Sequence, residues 1–175
     1  MNMKKFLKIS MISILYLLLI IFQLAFVNNY SIFNVTMNLF LVLIVVTFAN
    51  YSKNVAIVYS LLTGIMLDII YMTSGFGFYS FSYTLVGVVM YILVLNNFKD
   101  NNLSLIFLVF ASSLIFELLT YGRLLFVYGV DLGILRLIFG ILLLFILNIA
   151  PAIAINYILQ KIKYGKRNIK GLYMN

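Results

Sequence analysis

Residues 56–91 read AIVYSLLTGIMLDIIYMTSGFGFYSFSYTLVGVVMY, two apolar runs either side of a glycine and aromatic turn, with one carboxylate, Asp68, toward the end of the first. Ala56, Ser60, Gly64 and Asp68 recur every four residues, which on a helix sets three small side chains and the acid along one slowly drifting face. Beyond the turn, Gly77, Ser80, Thr84, Gly87 and Tyr91 recur at steps of three and four, so the second helix has a narrow seam as well. In lipid, apolar burial does not pull helices together, and small seams let backbones approach for van der Waals packing. The stretch is therefore a helical hairpin, expected to be the core of the chain.

Asp68 leaves two readings open. An aspartate near the middle of a membrane helix costs roughly 2.5 to 3.5 kcal/mol on insertion scales, so a buried one faces a partner or a wet cavity. Its place toward the helix end also allows an interfacial position in touch with water. Gly87 is expected to be used inside the hairpin, and the Gly64 and Asp68 face to be left for a partner helix.

Composition sets the class. Hydrophobic residues make up 65% of the 175 and charged residues 9%, too little polar surface to coat a soluble domain of this length. The chain is expected to be an all-α, polytopic integral membrane protein, a single bundle of about six transmembrane helices, with candidate helices at 6–27, 33–49, 55–71, 78–95, 103–120 and 132–159 and a short basic tail at 160–175. The first begins after Lys4, Lys5 and Lys8 and lacks a small-residue cleavage site, so it reads as an uncleaved span. Gln23, near its far end, reads as an interfacial polar residue. The second is short for a full span. In the last, Pro151 removes a backbone donor and collides with the Leu147 carbonyl, so a kink is expected, with Asn148 placed to bond the freed carbonyl.

The net charge of +8 is distributed between apolar runs, so it orients the chain in a bilayer and does not suggest nucleic acid. With the N-terminus cytoplasmic, Lys4, Lys5, Lys8, Lys53, Lys99, Lys161, Lys163, Lys166, Arg167 and Lys170 fall inside and only Arg123 and Arg136 outside. Both termini are thus expected in the cytoplasm, with the basic tail on anionic headgroups. The outer side then gathers Asp68, Glu117, Arg123, Asp131 and Arg136, which are expected to pair across helices as an intramembrane polar network. The chain has no cysteine and no histidine, which excludes thiol and Ser-His catalysis and histidine-bound metal. A two-aspartate protease would have to pair Asp68 with Asp131, and neither stands in a Gly-x-Gly-Asp context. No catalytic role, cofactor or metal is expected.

The succession Gly64-Ile65-Met66-Leu67-Asp68, then Gly75-Phe76-Gly77, then Tyr83-Thr84-Leu85-Val86-Gly87 resembles the central region of the rod shape-determining MreD family. The chain length, lysine-rich start and basic tail are similar too. One departure is Asn34-Val35-Thr36-Met37-Asn38, where the family's second helix often opens with a proline and an acid. The resemblance implies a non-enzymatic component of the bacterial cell-elongation machinery in the cytoplasmic membrane. Such a protein associates with the single-span protein MreC and, through it, with MreB and peptidoglycan synthases. It also implies that Gly64, Asp68, Gly77, Tyr83 and Gly87 are helix-packing or partner-contact positions. The alternative is the substrate-binding membrane component of an energy-coupling-factor vitamin transporter, whose small six-helix fold is similar. Such a component couples through small residues along its first helix, where this chain is mostly bulky, with Ala25 its only alanine.

Overall fold

A computed structural model describes residues 3–51, 53–71, 77–95 and 102–164. Gly75 and Phe76 of the hairpin turn, the polar 96–101 loop and the basic tail beyond Tyr164 lie outside the described residues. Six α-helices follow one another: α1 Met3–Ala25, α2 Leu39–Asn50, α3 Lys53–Ile70, α4 Phe78–Leu95, α5 Asn102–Tyr128 and α6 Ile134–Tyr164, with a 3-10 turn at Val27–Asn29. The described residues form no named strand; Ile32 and Val35 make an isolated antiparallel bridge. Three helices, α3, α5 and α6, are long and apolar enough to cross a membrane.

The core lies on α2, not on the hairpin. Of its 12 residues, 11 are buried, and it touches every other helix. A helix apolar all round has no face to offer water and goes to the centre of a bundle. At about 1.5 Å per residue its 12 residues span only about 18 Å, so it is a buried strut between longer neighbours. The expected start at residue 33 is corrected to Leu39. Phe33 and Asn34 have φ of 50° and 62°, the left-handed pair of a tight turn closed by reciprocal Ile32–Val35 backbone bonds, and a helix cannot run through it. Asn38 then caps α2, its Oδ1 accepting from the Leu41 N–H at 3.0 Å.

Polar side chains fasten this strut to its neighbours. Thr47 donates to the Leu43 carbonyl, so the Tyr16 hydroxyl of α1 must be the donor in its 2.8 Å bond to Thr47 Oγ1. Asn50 donates to Asn156 Oδ1 of α6 at 2.6 Å, and the Asn38 N–H donates to Asn148 Oδ1 at 2.9 Å. Asn148 and Asn156 thus tie α6 to α2. The expected bond from Asn148 to the Leu147 carbonyl is absent: the Asn148 oxygen serves Asn38, and its Nδ2 is buried without a partner. Helix α6 continues through Pro151 as one element.

Candidate functional site

The hairpin is the most extensive helix pair of the bundle, and Asp68 closes it. The side chain is 1% exposed, and its oxygens accept from the Tyr79 N–H at 2.9 Å, from the Ser80 N–H at 2.9 Å and from the Ser80 hydroxyl. Tyr79 and Ser80 are the second and third residues of α4, so their N–H groups have no partner inside their own helix. A carboxylate placed there satisfies them with charge-assisted bonds and faces the positive end of the helix dipole. Gly77 precedes α4 at φ +100°, a conformation that suits glycine, and so lets the chain turn into the cap.

The two seams face each other. A Cβ on Gly64 would stand 2.5 Å from Ser80 Cα and 2.7 Å from the Tyr79 carbonyl, and one on Gly87 would stand 2.9 Å from Ser60 Cβ. Both glycines are consumed inside the hairpin. This corrects the expectation for Gly64 and Asp68, whose face is closed by α4 and not left for a partner.

Tyr83, 1% exposed, donates from its hydroxyl to Asn38 Oδ1 at 3.0 Å and so links the hairpin to the start of α2. Gln23 is corrected from an interfacial residue to a buried brace at 3% exposure. Its Nε2 donates to Asn28 Oδ1 and to the Met37 carbonyl, and its Oε1 accepts from the Leu39 N–H, each at 2.9 Å. Asn38 is the polar residue that sequence reasoning missed, and Gln23 the one it misplaced. The available signal was an asparagine standing directly before an unbroken apolar run, which is a helix cap.

These residues enclose a cavity of about 290 Å³ at the bundle end where α1 and α3 finish and α2 and α4 begin. Tyr71, Tyr79, Tyr83, Phe40 and Phe116 supply its rings, and Gln23, Asn28, Thr36 and Asn38 its polar side chains. Among the described residues, no charged one lines it.

The other predicted charges form no ion pair within 4.0 Å, although Glu117 and Arg136 attract each other across a cleft. Arg123 sits over the Phe78 ring at 4.4 Å and donates to the Tyr128 hydroxyl at 2.8 Å. Asp131, in the α5–α6 connection, accepts from the Tyr121 hydroxyl at 2.7 Å and from the Gly133 N–H at 2.8 Å. The Tyr121 bond, with the Gly133 amide, holds the Asp131 carboxyl below its ordinary range. Glu117 and Arg136 line a second cavity, of about 130 Å³, without an ion pair within 4.0 Å. The expected network is therefore reduced to the Glu117–Arg136 attraction. Among these four residues, Arg123 and Asp131 use aromatic and backbone neighbours and Glu117 and Arg136 share a cleft.

Fold and site define an all-helical bundle with three helices able to cross a membrane and a polar, ring-lined cavity at one end. Comparison with protein-family models, with curated proteins and with solved structures finds no match.

Proposed function

We propose that the chain is a non-enzymatic, six-span component of the bacterial cell-elongation machinery in the cytoplasmic membrane. It acts as an MreD-like scaffold that binds an MreC-like single-span protein and, through it, MreB and peptidoglycan synthases. The observation that supports this most is the convergence of the residues carrying the resemblance. Gly64, Asp68, Gly77 and Gly87 form the contacts and turn of one closed hairpin, and Tyr83 joins it to α2. Twelve basic residues against four acidic ones, ten of the twelve on one side of the six-span arrangement, support cytoplasmic termini. With the α3–α4 seam closed, the partner helix docks on the remaining intramembrane surface.

The test is co-purification of the chain with an MreC-like protein from membranes, together with rescue of rod shape in cells lacking MreD. Recovery of both is the expected result. Uptake of a labelled vitamin by cells expressing the chain, with no effect on shape, would assign it instead to the transporter class.

A further inference from the structure

The ring-lined cavity has more capacity than helix packing requires. A cavity of about 150 Å³ already holds a benzene ring. At about 290 Å³ this one has room for a single substituted ring. Asn28 at the mouth is exposed, whereas Phe40, Leu67 and Tyr83 are buried behind it.

Its free polar atoms are few and can be named. Asn38 is 9% exposed, and its orientation is fixed because its oxygen accepts from Leu41 N–H and Tyr83 O–H. Its Nδ2 therefore carries two N–H groups with no partner among the described residues. The hydroxyls of Tyr79 and Thr36, which also line the cavity, make no hydrogen bond among the described residues either. Gln23 is used fully by Asn28, Met37 and Leu39. Unlike Asn148 Nδ2, the Asn38 Nδ2 is not sealed from solvent, so it opens on the cavity it lines, where water or an occupant accepts from it.

The lining also determines the charge of the occupant. An anion would need a basic residue or free helix N–H groups. Among the described residues no Lys or Arg lines the cavity, and four N–H donors of the two helix starts are taken: Leu39 by Gln23, Leu41 by Asn38, and Tyr79 and Ser80 by Asp68. A cation could use the rings, but among the described residues no carboxylate lines the cavity, and both oxygens of nearby Asp68 are committed to α4. A sugar ring would bury more hydroxyls than three free polar groups can satisfy. A flat neutral ring whose acceptors take the Asn38 Nδ2 and one hydroxyl, and whose own N–H meets the other hydroxyl oxygen, matches these groups without a charge and lies against the Tyr79 ring, itself near-parallel to Tyr83 at 6.4 Å and 24°.

We propose that this cavity binds a small, neutral, planar ring compound bearing hydrogen-bond acceptors, a ring carboxamide or heteroaromatic lactam, held by Asn38 Nδ2 and the Tyr79 and Thr36 hydroxyls. The site goes beyond the scaffold reading and does not rest on it. Titration of the full chain, purified in detergent, with nicotinamide, thymine and benzamide tests it, with nicotinate, choline and N-acetylglucosamine as charged and sugar counterparts. At least one neutral planar probe binds saturably, and the counterparts bind about tenfold weaker or not at all. Two variants test the contacts. Tyr79→Phe keeps the ring and removes only an unbonded hydroxyl; Asn38→Asp keeps the oxygen that caps α2 and removes the donor. Each weakens binding about tenfold, the worth of one hydrogen bond, and Tyr79→Phe leaves the thermal stability of the unliganded chain unchanged. Failure of all three planar probes on the wild-type chain would overturn the proposal. So would tighter binding of a counterpart, or unchanged affinity in Tyr79→Phe.

Discussion

The α3–α4 hairpin and the α5–α6 pair are built from the same ingredients, a glycine and an acid on facing helices, and use them in opposite ways. In the first, Gly64 and Gly87 admit the facing helix to distances at which no Cβ fits, and Asp68 spends both oxygens on the start of α4. In the second, a Cβ on Gly140 would meet the Glu117 carboxylate at an ordinary 3.5 Å, and Gly122 has nothing within 4 Å. Glu117 is only half-buried and lies in a cleft with Arg136. A small residue beside an acid therefore does not by itself define a contact. The position of the acid relative to a helix start decides whether it fastens two helices or stands open. Asp68 lies opposite the first turn of α4, whereas Glu117, in the middle of α5, meets Gly140, the seventh residue of α6 and beyond the free N–H groups of its start.

The contrast can be broken first at the glycines. Gly87→Leu should lower stability by about 3 kcal/mol, the upper end of overpacking costs, because Ser60 blocks the site with its Cβ as well as its hydroxyl. Gly122→Leu should be close to neutral, and Gly87→Ala should be partly rescued by Ser60→Gly. Thermal unfolding in detergent measures all of these, and equal losses at Gly87 and Gly122 would erase the distinction.

Asp68 gives the next largest effect. Asp68→Ala strands the Tyr79 and Ser80 N–H groups, at about 1 to 3 kcal/mol for a buried donor left unpaired. Asp68→Asn keeps one accepting oxygen and should lose about half as much, because a charge-assisted bond is roughly twice as strong as a neutral one. Hydrogen exchange at Tyr79 and Ser80 reads the cap directly: protection should fall in the order Asp, Asn, Ala. The smallest effect is expected at Glu117→Gln, within about 0.5 kcal/mol, since that carboxylate makes no hydrogen bond among the described residues and its attraction to Arg136 acts across a cleft without an ion pair within 4.0 Å. A loss there as large as that of Asp68→Ala would mean that the α5–α6 pair is fastened by its acid after all.

Much of the hairpin was legible because helix spacing is local: the small-residue steps and the glycine turn locate α3 and α4 without reference to the rest of the chain. The role of Asp68 was not, because the cap it provides lies 11 residues further on, and a helix cap is ordinarily sought at the residue before the helix. Helix α2 was read only as a segment short for a full span and is the centre. Its uniformly apolar surface carried that information, but length alone argued for a poor span. Gln23 and Asn148 were weighed singly, as an interface and a kink residue, Asn38 and Asn156 were given no role, and their partners lie on other segments that no single-segment reading brings together.

The most direct test of the closed hairpin is Gly64→Leu, followed by membrane abundance and recovery of an MreC-like partner in the same preparation. A side chain there meets the α4 backbone at Ser80 and Tyr79, which cannot turn aside as a flexible side chain would. The variant should be strongly depleted from the membrane, with the partner lost only in proportion. Normal abundance with selective loss of the partner would contradict the closed seam and return the Gly64 and Asp68 face to the partner.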